Sequence, residues 1–269
     1  MQTGGGILRQ PVSVWATAFA AVVAFMGIGL VDPILPSIAQ GLKATPSQVS
    51  LLFTSYFLVT AVAMLVTGWV SSRIGGKRTL LVGLVLVVVF AALAGTSGSV
   101  AELVGFRAGW GLGNALFVAT ALAVIVGAAS GGAESAIILY EAALGLGISL
   151  GPLVGALLGD WNWRAPFFGT ATLMAVGFVL IATMLRATPK PARKTRLSAP
   201  IRALAHGGLS TTAFTALFYN FAFFTVLRSR RSSSACPRTA SAPSSSAGAS
   251  AWRCRRCSRR RRCSAGSAR

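Results

Sequence analysis

The sequence alternates between long runs without Asp, Glu, Lys or Arg and short segments that collect those charges. A helix needs about 20 consecutive apolar residues to cross the hydrocarbon core of a bilayer. Seven runs are near or above that length, and they predict seven membrane spans, of which the first six are well formed. These runs are residues 10–31, 44–72, 79–101, 108–133, 142–159, 165–185 and 203–227.

Composition agrees with a membrane protein built only from helices. The chain is 54% hydrophobic and 11% charged, whereas soluble domains carry about 25% charged residues. The formal net charge of +20 would suggest a nucleic-acid partner if it were spread over the body. Most of it is instead concentrated after Leu227, where twelve Arg and no acid occur. We therefore expect no nucleic-acid partner, and a lipid bilayer around the body.

The cations of the body predict the orientation of the chain in the membrane. A cytoplasmic N-terminus places ten of them inside and only Lys43 and Arg164 outside, as the positive-inside rule requires. We therefore predict a multi-pass protein of the inner (plasma) membrane with its N-terminus in the cytoplasm. The ten inside cations are Arg9, Arg73, Lys77, Arg78, Arg186, Lys190, Arg193, Lys194, Arg196 and Arg202.

The positions of charge and proline divide the chain into five segments. The stretch "RATPKPARKTR" is basic and punctuated by proline, which indicates a linker between two parts of the protein. The predicted segments are a cytoplasmic N-terminus (1–12), a six-helix bundle (13–186), a basic cytoplasmic linker (187–202), a seventh transmembrane helix that begins a second bundle (203–227) and a disordered Arg/Ser/Cys-rich tail (228–269).

The loop "GWVSSRIGGKRTL" joins the second and third spans. A short hairpin with cations on the inner side would explain it. Its spacing also resembles the signature G-x-x-x-D-R-x-G-R-K-x-x-L of the major facilitator superfamily, with Ser72 in place of the family's Asp. The resemblance implies a conformational switch from which the acid of its charge network has been removed. The residues of this switch loop are Gly68, Ser72, Arg73, Gly75, Lys77 and Arg78.

Arg107 is the one charge inside the fourth span. An arginine at such a position faces a cavity or a partner, or else extends to the outer interface. The pattern L-x-x-x-R-x-x-x-G-x-G-x-A, from Leu103 to Ala115, resembles the fourth-helix motif of the same superfamily. The resemblance implies a role for Arg107 in proton transfer, although Trp110 stands where the family often has Gln.

The fifth span carries a glycine at every fourth position. That stride places the glycines on one helix face, which lets a neighbouring helix approach closely, and Pro152 favours a kink. Ordinary packing of small residues would explain the glycines alone. The combination G-x-x-x-G-P-x-x-G, with Ala156 replacing one glycine, resembles the antiporter motif of drug:proton antiporters. The residues of the repeat are Gly147, Gly151, Gly155 and Gly159.

Two acids are predicted at membrane depth, and an acid there is a candidate for proton handling. Asp32 lies late in the first span beside two prolines, in a stretch that resembles the first-helix signature of drug antiporters. Its alternative position is the outer interface. Glu141 precedes Pro152 in the fifth span. We rank Asp32 and Glu141 as proton-coupling candidates, with Arg107 as their electrostatic partner.

An enzyme is not predicted. The segment "GISLG" fits the G-x-S-x-G pattern of a serine nucleophile, but it lacks the required strand-to-helix turn. The single histidine, His206, lies near the seventh span, and the body carries no cluster of metal ligands. The pair Cys254 and Cys257 has no well-spaced second half for a zinc site. We therefore expect no catalytic residue, no cofactor and no metal.

The resemblance implies a six-helix N-terminal bundle of two inverted three-helix repeats that exports small amphipathic compounds in exchange for protons. Its partners would be a small-molecule substrate, protons and a C-terminal bundle that this chain lacks. The tail has the composition of a GC-rich gene read in a shifted frame, so we expect a truncated, inactive copy. Two alternatives stay open: a metabolite or sugar exporter, and a membrane anchor whose arginine tail binds anions.

Overall fold

The protein is represented by a computed structural model that describes residues 10–129, 132–185, 195–203 and 205–234. All regular elements in these ranges are α-helices, which confirms the predicted all-α class. They are α1 (Val12–Gly29), α2 (Val31–Gly41), α3 (Pro46–Ile74), α4 (Gly76–Thr96), α5 (Val100–Ala128), α6 (Gly132–Gly159), α7 (Ala165–Met184), α8 (Ala199–Ala203) and α9 (Gly207–Ser234).

Six helices in the described ranges are long and apolar enough to cross a membrane: α1, α3, α4, α5, α6 and α7. They correspond to the six well-formed spans that the charge-free runs predict. The prediction of α9 as a seventh span stays a prediction. The fold is therefore a six-helix membrane bundle followed by a linker and one further helix.

The first span is divided, contrary to the single helix that its charge-free run predicts. α1 ends at Gly29, and α2 continues the chain to Gly41, well past the expected end. The division lies at Leu30, three residues before Pro33. Because Pro33 has no backbone N–H, it cannot donate to the carbonyl of Gly29, and the helical ladder is interrupted there. Asp32 consequently lies in the first turn of a second helix rather than at the end of the first.

Charge-free runs also misplace the starts of α5 and α6, because both helices include charged residues that their run excludes. α5 begins at Val100, where the Oγ of Ser99 accepts a hydrogen bond from the Glu102 backbone N–H at 3.3 Å. The Glu102 carboxylate accepts in turn from the Gly98 N–H at 2.9 Å. An acid in the first turn is thus part of the helix start and does not mark a loop. α6 similarly begins at Gly132, ahead of Glu141.

The helix pairs that pack together in the bundle are related by a symmetry that exchanges two three-helix repeats. One repeat contains α1 with α2, α3 and α4, and the other contains α5, α6 and α7. The main packed pairs are α3 with α5 and α1 with α6, α4 with α5 and α1 with α7, and α4 with α7. Exchanging the repeats converts each pair into its counterpart, and α4–α7 into itself. Inverted three-helix repeats predict this pattern.

Two predicted boundaries near the end of the chain need correction. The linker, placed at residues 187–202, includes the short helix α8. The predicted disordered tail begins at residue 228, yet α9 continues to Ser234. Ser and Arg are tolerated in a helix, so their presence does not end one. The rest of the tail lies outside the described residues. α9 belongs to a separate compact unit that begins at Gly207 and carries exposed aromatic side chains.

Candidate functional site

Arg107 lies inside the bundle against two aromatic rings. Its guanidinium carbon is 4.6 Å from the centroid of the Tyr56 ring and 4.7 Å from that of Trp110. Trp110 is one turn further along α5, and Tyr56 comes from α3. The exposed fraction is 1% for Arg107, 1% for Tyr56 and 0% for Trp110. The arginine therefore neither extends to the interface nor lines an open surface of the described chain.

The guanidinium makes no hydrogen bond in the described part of the chain. The Nε, Nη1 and Nη2 atoms of Arg107 are all buried and without a hydrogen-bond partner, as are Tyr56 Oη and Trp110 Nε1. Arg107 thus does not hydrogen-bond Asp32 or Glu141, the acids with which the sequence predicts an electrostatic pairing. The π faces of the two rings are its observed contacts, and they attract a cation through the ring quadrupole.

Trp110 is fixed by contacts with two other helices. A Cβ atom placed on Gly27 of α1 would lie 2.8 Å from the indole ring, so only a glycine permits this approach. On α7, Phe167 meets Trp110 edge to face with 6.2 Å between the ring centroids. Trp163 continues this aromatic series toward the loop before α7, at 6.3 Å from Phe167. The contacts of Trp110 therefore fix the position of one ring beside Arg107.

The glycine face of α6 packs on the backbone of α1 and of Leu30, and on side chains at the start of α2. A Cβ atom on Gly147 would lie 2.5 Å from the carbonyl oxygen of Val22, and one on Gly151 would lie 2.7 Å from that of Met26. Gly155 approaches the carbonyl of Leu30 and the ring of Pro33. Each added methyl group would collide with backbone, which cannot move aside easily. The face predicted to permit a close approach is thus occupied by the first span.

This contact surrounds the acid-bearing break between α1 and α2. Asp32 is half-buried and lies between Leu30 and Pro33, the two residues that Gly155 approaches. Pro152, inside α6, lies against Gly29: a Cβ atom there would be 2.9 Å from the proline Cδ. The residues of the antiporter-like motif and Asp32 are therefore neighbours.

Glu141 lies apart from this contact, on an exposed position of α6. The adjacent Tyr140 points inward, where its hydroxyl donates to the carbonyl of Val118 at 3.3 Å and its ring meets Phe25 edge to face. Successive residues of a helix point in different directions, so Glu141 faces away from the core that Tyr140 enters. The structure places the glycine motif against Leu30 and Pro33, the residues that flank Asp32, but leaves Glu141 exposed on the described bundle.

The loop between α3 and α4 is reduced to Gly75, whose φ of +90° is readily adopted only by glycine. Lys77 donates through Nζ to the carbonyls of Ala182, at 2.9 Å, and Leu185. These carbonyls belong to the last turn and C-cap of α7, where an unpaired C=O accepts a cation favourably. The loop therefore ties the start of α4 to the end of α7.

Ser72 stands at the position of the Asp in the loop signature that the sequence resembles. Its hydroxyl makes hydrogen bonds to backbone groups in place of the ion pairs of a charge network. It is buried, and its hydroxyl donates to the carbonyl of Trp69 at 2.8 Å. Its oxygen also accepts from the backbone N–H of Thr195, near the end of the predicted linker's basic stretch, at 3.2 Å. Arg73 lies over the Trp69 ring at 4.4 Å. The other residues of the predicted switch, Gly68 and Arg78, are exposed.

Arg164 makes the corresponding contact at the opposite end of α4 and α7. Its Nη1 donates to the carbonyl of Gly95 at 3.1 Å, and its Nη2 donates to that of Ser97 at 2.9 Å. These carbonyls end α4, and Arg164 is the residue just before α7. Each helix of the α4–α7 pair therefore has its C-terminal carbonyls bound by a cation from the start of the other helix.

An apolar groove lies on the outer surface between α3 and α5. Its volume is about 550 Å³, and its lining is apolar. The lining residues are Leu58, Val59, Val62, Ala63, Val66, Val70, Leu112 and Leu116.

Sequence reasoning missed three of these contacts. Tyr56 lies beside Arg107, Lys77 binds the C-terminal carbonyls of α7, and Arg164 binds those of α4. A signal existed for one ring, because Trp110 is three residues after Arg107 and such pairs meet on a helix. No local signal links Lys77 to carbonyls that are 105 and 108 residues further along the chain.

Comparison with known proteins supplies the family context of this site. The family description Major Facilitator Superfamily matches residues 17–251. The multidrug efflux protein YfmO of Bacillus subtilis (strain 168) is 60% identical over 222 residues, which cover 82% of this chain and 56% of YfmO. The tetracenomycin C resistance and export protein of Streptomyces glaucescens is 33% identical over 187 residues, covering 65% of this chain and 35% of that protein.

A crystal structure of the peptide transporter POT in complex with sulfate is similar in fold. Its TM-score is 0.61 at 18% sequence identity, with 78% of this chain and 46% of the transporter covered. The identity is low, so this likeness concerns the fold alone. The chain covers 56%, 35% and 46% of the length of these three proteins, so it spans only part of each.

Proposed function

The chain belongs to the Major Facilitator Superfamily, and we propose that it forms the N-terminal half of an exporter that exchanges small amphipathic compounds for protons. Its similarity to a multidrug efflux protein and to a tetracenomycin C resistance and export protein supports the cargo class. Its six apolar helices support a multi-pass position in the membrane, for which we propose a cytoplasmic N-terminus in the plasma membrane.

One observation carries the proton part of this proposal: the antiporter-like glycine face packs around the break that bears Asp32. A carboxyl group within a membrane bundle is costly when charged, so it binds and releases protons as its surroundings change. Because Gly155 contacts the residues on both sides of Asp32, any movement of α6 against α1 changes those surroundings. In this mechanism Asp32 takes a proton from the outside and releases it inside as the bundles rock about a midplane site.

Arg107 and Glu141 have different roles in this mechanism. Arg107 is buried away from any open surface, so it acts as a fixed positive charge and does not carry the proton itself. Glu141 is exposed on α6 and remains a second candidate for proton binding once another bundle covers it. The switch loop acts at the inner ends of the helices, where Lys77 binds the end of α7 and Ser72 binds the linker at Thr195.

A second bundle would complete the path for the cargo. Apolar side chains are exposed along α3 and α6, and the groove between α3 and α5 offers an apolar surface of ligand size. We propose that the 269-residue chain does not export by itself. The substrate path would be lined by two helix bundles, and this chain contributes one of them. Export by this chain in sealed vesicles with a pH gradient would contradict that proposal.

The central test replaces Asp32 in a version of the chain that carries a second bundle after residue 227. We expect Asp32→Asn to abolish the dependence of drug export on the pH gradient, because an amide cannot take up and release the proton. Export is measured in vesicles with and without the gradient. Asp160→Asn is the matched control, since Asp160 is exposed after α6. Unchanged coupling in Asp32→Asn would remove Asp32 from the mechanism, and export of sugars alone would favour the alternative cargo.

A further inference from the structure

We propose that Tyr56 and Trp110 form an aromatic clamp, the pair of rings that holds Arg107 charged and oriented without occupying its N–H groups. The clamp makes these two residues positioning residues for the proposed proton-coupled export, and the inference rests on that function. It is assigned from the two ring contacts, at 4.6 and 4.7 Å, and from the three guanidinium nitrogens without a hydrogen-bond partner among the described residues.

A buried charge requires compensation, because transfer of an ion from water into a low-dielectric interior is strongly unfavourable. A carboxylate partner would supply it by bonding the N–H groups and cancelling the charge. The rings supply it through their π faces and leave the N–H groups uncommitted. Arg107 therefore keeps both its positive charge and its hydrogen-bonding capacity inside the bundle.

The rings are themselves held from several sides. Trp110 is fixed by Gly27 of α1 and by Phe167 of α7. The backbone that carries Tyr56 packs directly on α5: a Cβ atom on Gly111 would lie 2.6 Å from the Tyr56 carbonyl oxygen. The clamp thus joins α3 and α5 directly, and α1 and α7 through Trp110. A shift of any of these helices would change how Arg107 is held.

The first experiment uses the purified 269-residue chain in detergent and needs no transport. Trp110→Leu and Tyr56→Leu are each made in the Arg107 background and in the Arg107→Met background, and unfolding equilibria are measured. If the rings compensate the charge, each leucine substitution is more damaging beside arginine than beside methionine. We expect this excess to be about 2- to 30-fold in the unfolding equilibrium constant. Equal losses in both backgrounds would overturn the clamp.

Variants that keep the ring separate charge compensation from simple filling of space. Trp110→Phe and Tyr56→Phe retain a π face, so we expect most of the excess coupling to Arg107 to persist in both. Should phenylalanine lose the coupling as fully as leucine, the π faces would not be its source, and the proposal would fail. Should a variant not fold, the background comparison at the other ring still gives the result.

The second experiment tests positioning in the version with a second bundle. We expect gradient-driven export to fall in Trp110→Leu and Tyr56→Leu and to be rescued in Trp110→Phe and Tyr56→Phe. Normal export in both leucine variants would overturn the positioning role, even if the coupling in the isolated chain is present. A parent protein that exports without any response to the gradient would instead contradict the proposed function, while the stability cycle would still decide the clamp.

Discussion

The middle of the bundle and its two ends hold their cations in different ways. At the ends, Lys77 and Arg164 donate to the C-terminal carbonyls of α7 and α4, groups that a helix leaves without partners. In the middle, Arg107 has two aromatic rings and no hydrogen bond among the described residues. A cation at an end thus completes backbone bonding, whereas the central cation adds a charge that the backbone does not require.

This difference indicates that the cations at the helix ends contribute to stability, whereas we propose that the buried Arg107 contributes to function. Binding of helix ends is a structural task that many cations could perform, and it occurs where water is near. Placing a charge in the centre opposes folding unless something compensates it, so its retention there is best explained by use. The closest backbone approaches of the described glycines lie along the glycine face, in the second half of α6. We therefore expect substitutions around Arg107 and on the glycine face to have larger effects than the loss of a cation at a helix end.

The largest effect is expected at Gly155, where an added methyl group meets the backbone of Leu30, between α1 and α2, and the ring of Pro33. Gly155→Ala should destabilise the bundle by about 1–3 kcal/mol, because the helices must separate to admit it. Thermal unfolding of the purified chain measures this. Gly145→Ala, on the same helix with open space around it, is the matched control and should be neutral or slightly stabilising. Equal destabilisation by both variants would show that the close contact of Gly155 with Leu30 and Pro33 is not the cause of the loss.

A smaller loss is expected at the ends. Lys77→Met removes a cation from the carbonyls of Ala182 and Leu185, and we expect a loss of about 1–2 kcal/mol. Arg164→Met should act similarly on α4. Arg78→Met, beside Lys77 but exposed, should have little effect on the unfolding temperature. If Arg78→Met is as damaging as Lys77→Met, loop charge in general and not the bound helix end determines stability.

The smallest expected effect is the coupling between the two ends. α4 has 21 residues and spans roughly 30 Å, so its two ends share no contacts. The double variant Lys77→Met with Arg164→Met should therefore lose the sum of the single losses, within about 0.5 kcal/mol. The same unfolding assay provides the test. A larger discrepancy would mean that α4 and α7 transmit strain along their length, and the ends would then resemble the middle.

Much of the fold was predictable because membrane spans depend on local composition. Six long apolar runs correspond to the six helices, and the glycine stride correctly predicted a close helix contact. Exact boundaries were less predictable. Charges inside α5 and α6 hid their starts, and Pro33 divided the first span. Composition reports what a bilayer accepts, but capping and proline geometry determine where a helix begins and ends.

The candidate site was predictable only in its components. The sequence indicated Arg107, Asp32 and the glycine motif, because a charge or a repeated glycine is unusual within an apolar run. It did not indicate that Tyr56 meets Arg107 or that Arg107 bonds neither acid. Those facts depend on how α3 and α5 cross, which is set by packing between distant parts of the chain.

The sequence by itself therefore determined the class of protein and the number of well-formed spans, and it indicated the candidate residues of the site. The bilayer imposes strong and local requirements, and a run of residues either meets them or does not. The tertiary structure decided what each of those residues touches: rings for Arg107, the α7 carbonyls for Lys77, and the Leu30 carbonyl and Pro33 ring for Gly155. Such contacts join residues far apart in the chain, and only the packed helices bring them together.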